Sequence, residues 1–197
     1  VVVPSHGYIA TWLAVTHTGA KPIPCEPDPR TYNLDPARLE SCLTPRTRVI
    51  LPIHLYGQTA DMERINAIAA RHGLFVLEDA AQSHGARCHG RAADKLRHLR
   101  NYGSKVRYQN ELPGMNSRLS ELQAAFLRAK LPKLYEWNAR RVALAERYLK
   151  QLEGVGDLVL PWVPAWASPV WHLFVVRTAR REALQRHLAA QEIGTQI

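Results

Sequence analysis

Over the first ninety residues, short apolar runs alternate with segments of helical spacing. Val1-Val2-Val3, Pro22 to Cys25, Val49 to Ile53 and Leu74 to Leu77 read as strands. Tyr8 to Val15, Pro36 to Leu43 and Ala60 to Arg71 read as helices. Asp35 sits where an N-cap belongs, before Pro36 at the first helical position. Asp61 opens the third helix and Gly73 follows its end, while Met62, Ile65, Ile68 and Ala69 share one face. Continuous apolar strands alternating with helices predict a parallel sheet covered on both faces.

Past Gly90 the pattern changes. Ala92 to Arg100 reads as a basic helix, followed by a turn at Asn101-Tyr102-Gly103-Ser104. Two long helices, Leu119 to Leu131 and Leu134 to Leu152, are parted near Pro132, and Gly154 and Gly156 end the second. Pro161, Pro164 and Pro169 mark an irregular stretch, His172 to Arg177 a strand, and Arg180 to Gln191 a last helix. The expected organisation is a large domain over 1–131 and a linking helix with the start of a smaller domain over 132–197.

Composition narrows the class. Hydrophobic residues make up 46% and charged residues 22%, as in ordinary globular proteins rather than disordered or collagenous chains. The formal charge of +9 would suit nucleic acid, anionic lipid or a phosphorylated small molecule, or simply an Arg-rich solvated surface. No recognition-helix, aromatic-basic strand or zinc-spaced motif accompanies it, so nucleic-acid binding is a remote alternative. Cys25, Cys42 and Cys88 lie far apart without a CxxC pair, which reads as free thiols in a reducing, cytoplasmic setting. Val1 to Ala20 is uncharged but too polar for a membrane span and lacks a basic leader. The chain does not start with Met and is expected to be a fragment. No HxxxH or HExxH pair points to a metal, and none is expected.

In parallel sheets, ligands gather beyond the carboxyl ends of the strands. Two such ends carry polar residues, His54-Leu55-Tyr56-Gly57-Gln58 and Glu78-Asp79-Ala80-Ala81-Gln82. An ionised acid after a buried strand is what a protonated pyridine nitrogen needs as a partner. Gln82, three residues on, suits a ring oxygen if the chain turns into a helix there. The competing reading makes Asp79 a helix cap and leaves Gln82 in solvent.

The wider order of motifs is more specific. Pro4-Ser5-His6-Gly7-Tyr8-Ile9-Ala10-Thr11 comes first, then Pro52-Ile53-His54-Leu55-Tyr56-Gly57-Gln58 and Glu78-Asp79-Ala80-Ala81-Gln82-Ser83-His84-Gly85-Ala86. Arg100-Asn101-Tyr102-Gly103-Ser104 and Gly114-Met115-Asn116-Ser117-Arg118-Leu119 follow. Together they resemble the DegT/DnrJ/EryC1/StrS sugar aminotransferases, and most nearly the members that aminate a 3-keto-6-deoxy sugar on a dTDP carrier. The resemblance implies a three-layer α/β/α, aspartate-aminotransferase-like fold with a mainly parallel sheet, here incomplete. It implies pyridoxal 5'-phosphate as cofactor, a nucleotide sugar and an amino donor such as glutamate as substrates, and a homo-oligomer. By the same resemblance Tyr8 stacks on the cofactor ring, Asp79 faces its nitrogen and Gln82 its hydroxyl. Asn116 reaches the cofactor phosphate of a neighbouring subunit, although by its position alone it would cap the helix near Leu119. Arg118 and His54 would lie near substrate or phosphate, with a structural His54 as the alternative.

The chain also departs from that family. The lysine that holds the cofactor in a Schiff base and moves the proton lies, in the family, tens of residues after the acid. Here Arg87-Cys88-His89-Gly90-Arg91 runs straight into Ala92-Ala93-Asp94-Lys95-Leu96, which matches the family beyond that lysine. No lysine occurs between Lys21 and Lys95, and Lys105 is a remote substitute. By the resemblance, a Gly-rich phosphate turn is expected upstream of Val1 and the rest of the small domain downstream of Ile197, and Gly7 stands where a hydroxyl residue is usual. The expectation is therefore an aminotransferase lineage whose present chain is inactive alone, with a non-catalytic remnant or a partner of a full-length homologue as the alternative. Loss of sheet strands should leave open edges and poor solubility or obligate association.

Overall fold

A computed structural model describes residues 1–89, 104–106, 109–110 and 121–196. Four short strands form one parallel sheet: β1 (Val2–Pro4), β2 (Ile23–Cys25), β3 (Val49–Ile50) and β4 (Phe75–Val76), in the order β2-β1-β3-β4. Val2 pairs with Ile23 on one side and Ile50 on the other, and Ile50 pairs with Val76. An isolated bridge between Ile53 and Asp79 carries the β3–β4 pairing past the strand ends. β2, β3 and β4 are shorter than their apolar runs, and β3 stops short of Pro52, which has no N–H to give to a ladder.

Three crossover elements cover the sheet. Helix α1 (Ile9–His17) connects β1 to β2. Helix α2 (Pro36–Leu39) tightens into a 3-10 turn over Glu40–Cys42, one turn shorter than the spacing predicts. Asp35 caps it by accepting from the Ala37 N–H at 2.9 Å. Helix α3 (Met62–Arg71) is capped by Asp61, which accepts from the Arg64 N–H at 3.2 Å. One core, on the α3 side, joins Val2, Cys25, Leu34, Leu39, Ile50, Ile65 and Ile68. A smaller one on the α1 side joins Val3, Val15 and Leu51, with Trp12 packed against it.

The remaining elements are β5 (Arg87–Cys88), β6 (Ser104–Val106), β7 (Gln109–Asn110), α4 (Glu121–Lys130), α5 (Leu134–Leu152), β8 (Ala167–Ser168) and α6 (Arg181–Ala190). A 3-10 turn over Leu131–Lys133 carries Pro132 and separates α4 from α5, as the sequence predicts. The strand expected over His172 to Arg177 does not form. Trp171 takes a left-handed backbone (φ 54°), and within 172–177 only Arg177 pairs, in an isolated bridge with Val159. The predicted helix over 92–100 lies outside the described residues. Among the described residues no helix is long and apolar enough to cross a membrane.

The C-terminal segment returns to the sheet end. β5 pairs antiparallel with β8, the Val170 N–H donates to Gly57 O at 2.9 Å, and the His172 N–H donates to Tyr56 O at 3.0 Å. Gly57 is required there: its φ is +90°, and a Cβ would stand 2.7 Å from the backbone nitrogen of His172. Arg30 lies over the Trp162 ring (4.3 Å) and Arg177 over Tyr32 (5.6 Å), closing the same seam.

Candidate active site

The parallel strands deliver their polar residues to one end, as the strand-end argument requires. Asp79 is placed by the β3–β4 pairing: its N–H donates to Pro52 O at 2.9 Å, and its carbonyl accepts from the His54 N–H at 3.0 Å. Its carboxylate has two donors. The Thr11 hydroxyl, from the first turns of α1, donates to Oδ2 at 2.7 Å, and the Ala81 N–H donates to Oδ1 at 3.2 Å. Residues 80–89 form no helix, so Asp79 caps none there; the carboxylate closes a tight turn onto Ala81 instead. A carboxylate held from two directions is fixed in orientation, as an acid meant to meet a ring nitrogen must be.

Gln82 lies in that turn rather than on a helix. Its Oε1 accepts from the Tyr56 N–H at 2.7 Å, which leaves the amide NH2 as the donor for a ring oxygen. Tyr8 stands just before α1, three residues ahead of Thr11, and is 72% exposed. An unburied ring at the end where Asp79 lies offers a stacking face.

His54 is only 3% exposed and both its ring nitrogens are engaged within the fold. Nδ1 accepts from the Ala60 N–H at 3.0 Å, so Nε2 carries the proton and donates to Glu78 Oε2 at 2.9 Å. His54 thus ties the loop after β3 to the end of β4. Asn116 and Arg118 lie outside the described residues, and Lys105 is described only as the middle of β6.

Two positioning residues escaped the sequence reading. Thr11 was legible only as part of the first motif, and nothing in its spacing announces the bond to Asp79. Asn33 is buried: its Nδ2 donates to Gln58 O (3.1 Å) and Thr59 O (3.3 Å), and its Oδ1 accepts from the Leu55 N–H (2.9 Å). It sets the loop in which Tyr56 takes a left-handed backbone (φ 59°). The Tyr56 hydroxyl then meets His6 Nε2 at 3.0 Å, and burial, with Tyr32 beside it, pushes its pKa up.

The donor set fits a pyridine cofactor in part. An acid for the ring nitrogen, an amide for a ring oxygen and an exposed aromatic face are present. No described lysine bonds to Asp79, Gln82 or Tyr8. Lys21 precedes β2, at the opposite end of the sheet, and Lys130, Lys133 and Lys150 lie in or beside α4 and α5. Among the described residues no group of three His, Cys, Asp or Glu side chains is placed to hold a metal ion.

Comparison with known proteins decides the lineage. The model of the DegT/DnrJ/EryC1/StrS aminotransferase family matches residues 1–93 and, in a second piece, 89–197. The chain belongs to this family. A dTDP-3-amino-3,4,6-trideoxy-alpha-D-glucose transaminase from Streptomyces venezuelae is 47% identical, over 99% of this chain and 60% of its own length. The crystal structure of S. venezuelae DesV in complex with a ketimine intermediate is 46% identical, with a TM-score of 0.86 over 98% of this chain and 62% of that one. NtdA from Bacillus subtilis, solved with bound cofactor PMP, is 30% identical, with a TM-score of 0.77 over 96% of this chain and 52% of that one.

The chain therefore spans about three fifths of the length of the first of these relatives. That alignment runs over 229 positions for a chain of 197 residues, so at least 32 positions (229 less 197) are occupied by the relative alone. The two family matches meet at residues 89–93, where the sequence runs from Arg87-Cys88-His89 into Ala92-Ala93-Asp94. The family thus matches this chain in two pieces, and the relative carries positions that this chain does not.

Proposed function

We propose that this chain carries part of the active-site scaffold of a pyridoxal-phosphate-dependent aminotransferase acting on a nucleotide-linked ketosugar, with glutamate as amino donor, and that it does not turn over alone. The observation that carries the reading is Asp79 at the carboxyl end of the parallel sheet, its carboxylate held by Thr11 and Ala81. When bound, the cofactor supplies an electron sink for the substrate carbon. Asp79 would meet the ring nitrogen, Gln82 a ring oxygen and Tyr8 the ring face. Asn116 and Arg118 would take the phosphate or substrate side, with Asn116 reaching into a second subunit of an oligomer. His54 holds the loop. The names of the sugar transaminases among the relatives support the substrate class. The break at 89–93 supports the lack of turnover, because the resemblance puts the cofactor lysine in that segment. The division at 131/132 and a cytoplasmic location are part of this reading, the latter supported by three free thiols.

A second reading, that the chain is a non-catalytic partner of a full-length homologue, draws on the same break. One experiment tests the first: titrate the purified chain with pyridoxal phosphate, trap with borohydride and map the labelled peptides. The expected result is scattered or absent labelling beside a full-length homologue labelled on one lysine. Saturable labelling of a single lysine in this chain, Lys105 included, would overturn it.

A further inference from the structure

The two faces of the sheet near β4 are not equally covered. Parallel pairing puts Ile50 and Val76 on the side of Val2, against α3. Side chains alternate along a strand, so Phe75 and Leu77 point to the other side, that of Val3, Leu51 and α1. There, among the described residues, no layer covers them: Phe75 is 75% exposed and Leu77 43%. On α1, whose Thr11 reaches Asp79, the neighbouring Ala10 and Ala14 are small and exposed. The edge is open as well. The N–H groups of Phe75, Leu77 and Asp79 donate back to Arg48, Ile50 and Pro52, so the amides of Val76 and Glu78 fall on the outer edge. Among the described residues no strand lies beyond β4.

We propose that this edge and face form a docking surface for a strand-bearing segment supplied in trans by a longer member of the family. The occupant would lay a strand along Val76 and Glu78 and apolar side chains over Phe75 and Leu77. The argument for that occupant is the place and size of the break. At least 32 positions of the Streptomyces relative have no counterpart here, and the two family matches meet at 89–93. The described chain arrives at that junction at His89, whose Nε2 pairs with Glu63 Oε2 (3.1 Å) in the first turn of α3, the helix that leads into β4. The missing segment thus starts at the carboxyl end of the sheet, the end at which β4, the strand with the bare edge, also runs out. The inference rests on family membership and the open edge, not on the proposed activity, so its failure would leave the aminotransferase reading untouched.

The test co-expresses the full chain with a tagged peptide, the segment of the Streptomyces transaminase that falls opposite the break. The chain should be captured in equal amounts with a higher soluble yield, and hydrogen exchange should show protection at the Val76 and Glu78 amides. Phe75→Asp and Leu77→Asp should each weaken capture at least tenfold. Leu127→Asp, at an exposed position of α4, should leave it unchanged. Absence of capture, no gain in soluble yield, or capture indifferent to Phe75→Asp would overturn the proposal. So would a dimer of this chain alone that Phe75→Asp splits and the segment does not, since the face would then belong to a second copy.

Discussion

The α3 side and the α1 side of the sheet are built by the same four strands, yet only the first is finished. On the α3 side ten residues are buried together, among them Leu39, Ile50 and Ile65 with no exposure at all. On the α1 side three are, and the same strand β4 that packs a half-buried Val76 against one layer leaves Phe75 bare on the other. Strand alternation makes the difference instructive: neighbouring residues of one strand report separately on the two layers. The residues present thus suffice for one core. The incomplete one lies on the side of α1, the helix whose Thr11 holds Asp79.

The largest effect should come from the finished side. Ile65 is fully buried between α3 and the sheet, so Ile65→Ala should cost about 2–5 kcal/mol of unfolding free energy, read by denaturant titration. A loss below 1 kcal/mol would mean that the α3 core is as loose as the α1 side, and the contrast would fail.

Alkali should probe the same core without a core mutation. Burial first, then the Cys42 thiol beside it and the charges of Asp35 and Glu26, push the Cys25 pKa up to about 12 from a usual value near 9.0. The unfolded chain gives up this proton at lower pH than the folded chain, so stability from this group is intact below pH 9 and falls as pH rises from about 9 toward 12. Cys25→Ala should remove that part of the decline, measured as the difference between the two stability curves. Parallel curves would show that Cys25 is not sealed in the α3-side core.

Next in size is the loop that frames the candidate site. Asn33→Ala would strip three buried backbone groups, Leu55 N–H, Gln58 O and Thr59 O, of their partner. The expected cost is about 1–3 kcal/mol, together with earlier hydrogen exchange at Leu55 and Tyr56. A neutral result would show that the loop is held from the C-terminal seam at Gly57 rather than from Asn33.

Much of this was legible in the chain. The alternation over residues 1–80 fixed the parallel order class, and Asp35 and Asp61 cap the helices their spacing predicts. Asp79 was legible as a strand-end acid, and its motif gave the family. What escaped has a physical reason in each case. Thr11 and Asn33 act across 68 and 22–26 residues of sequence, through one hydrogen bond and three respectively, which no period encodes. The segment from His172 to Arg177 has strand composition, but strand propensity needs a neighbouring strand to be realised, and beyond the one bridge at Arg177 none pairs with it. Asn116, Arg118 and the basic helix fall outside the described residues, so their roles stay with the resemblance.

The smallest expected change makes the sharpest use of the contrast. Phe75→Ser replaces a large apolar side chain that the fold hardly touches, so the isolated chain should lose no more than about 0.5 kcal/mol. Val76→Ser, one residue along the same strand, faces the α3-side core and should cost clearly more in the same titration. The ratio of the two losses measures how one-sided the sheet is. Solubility should move the other way, with Phe75→Ser raising the soluble fraction and Val76→Ser lowering it, because an apolar side chain on an open edge invites association. Equal losses at the two positions would mean that Phe75 is covered in solution. The unfinished face would then have found an occupant within the chain itself, and the docking surface at β4 would have to be given up with it.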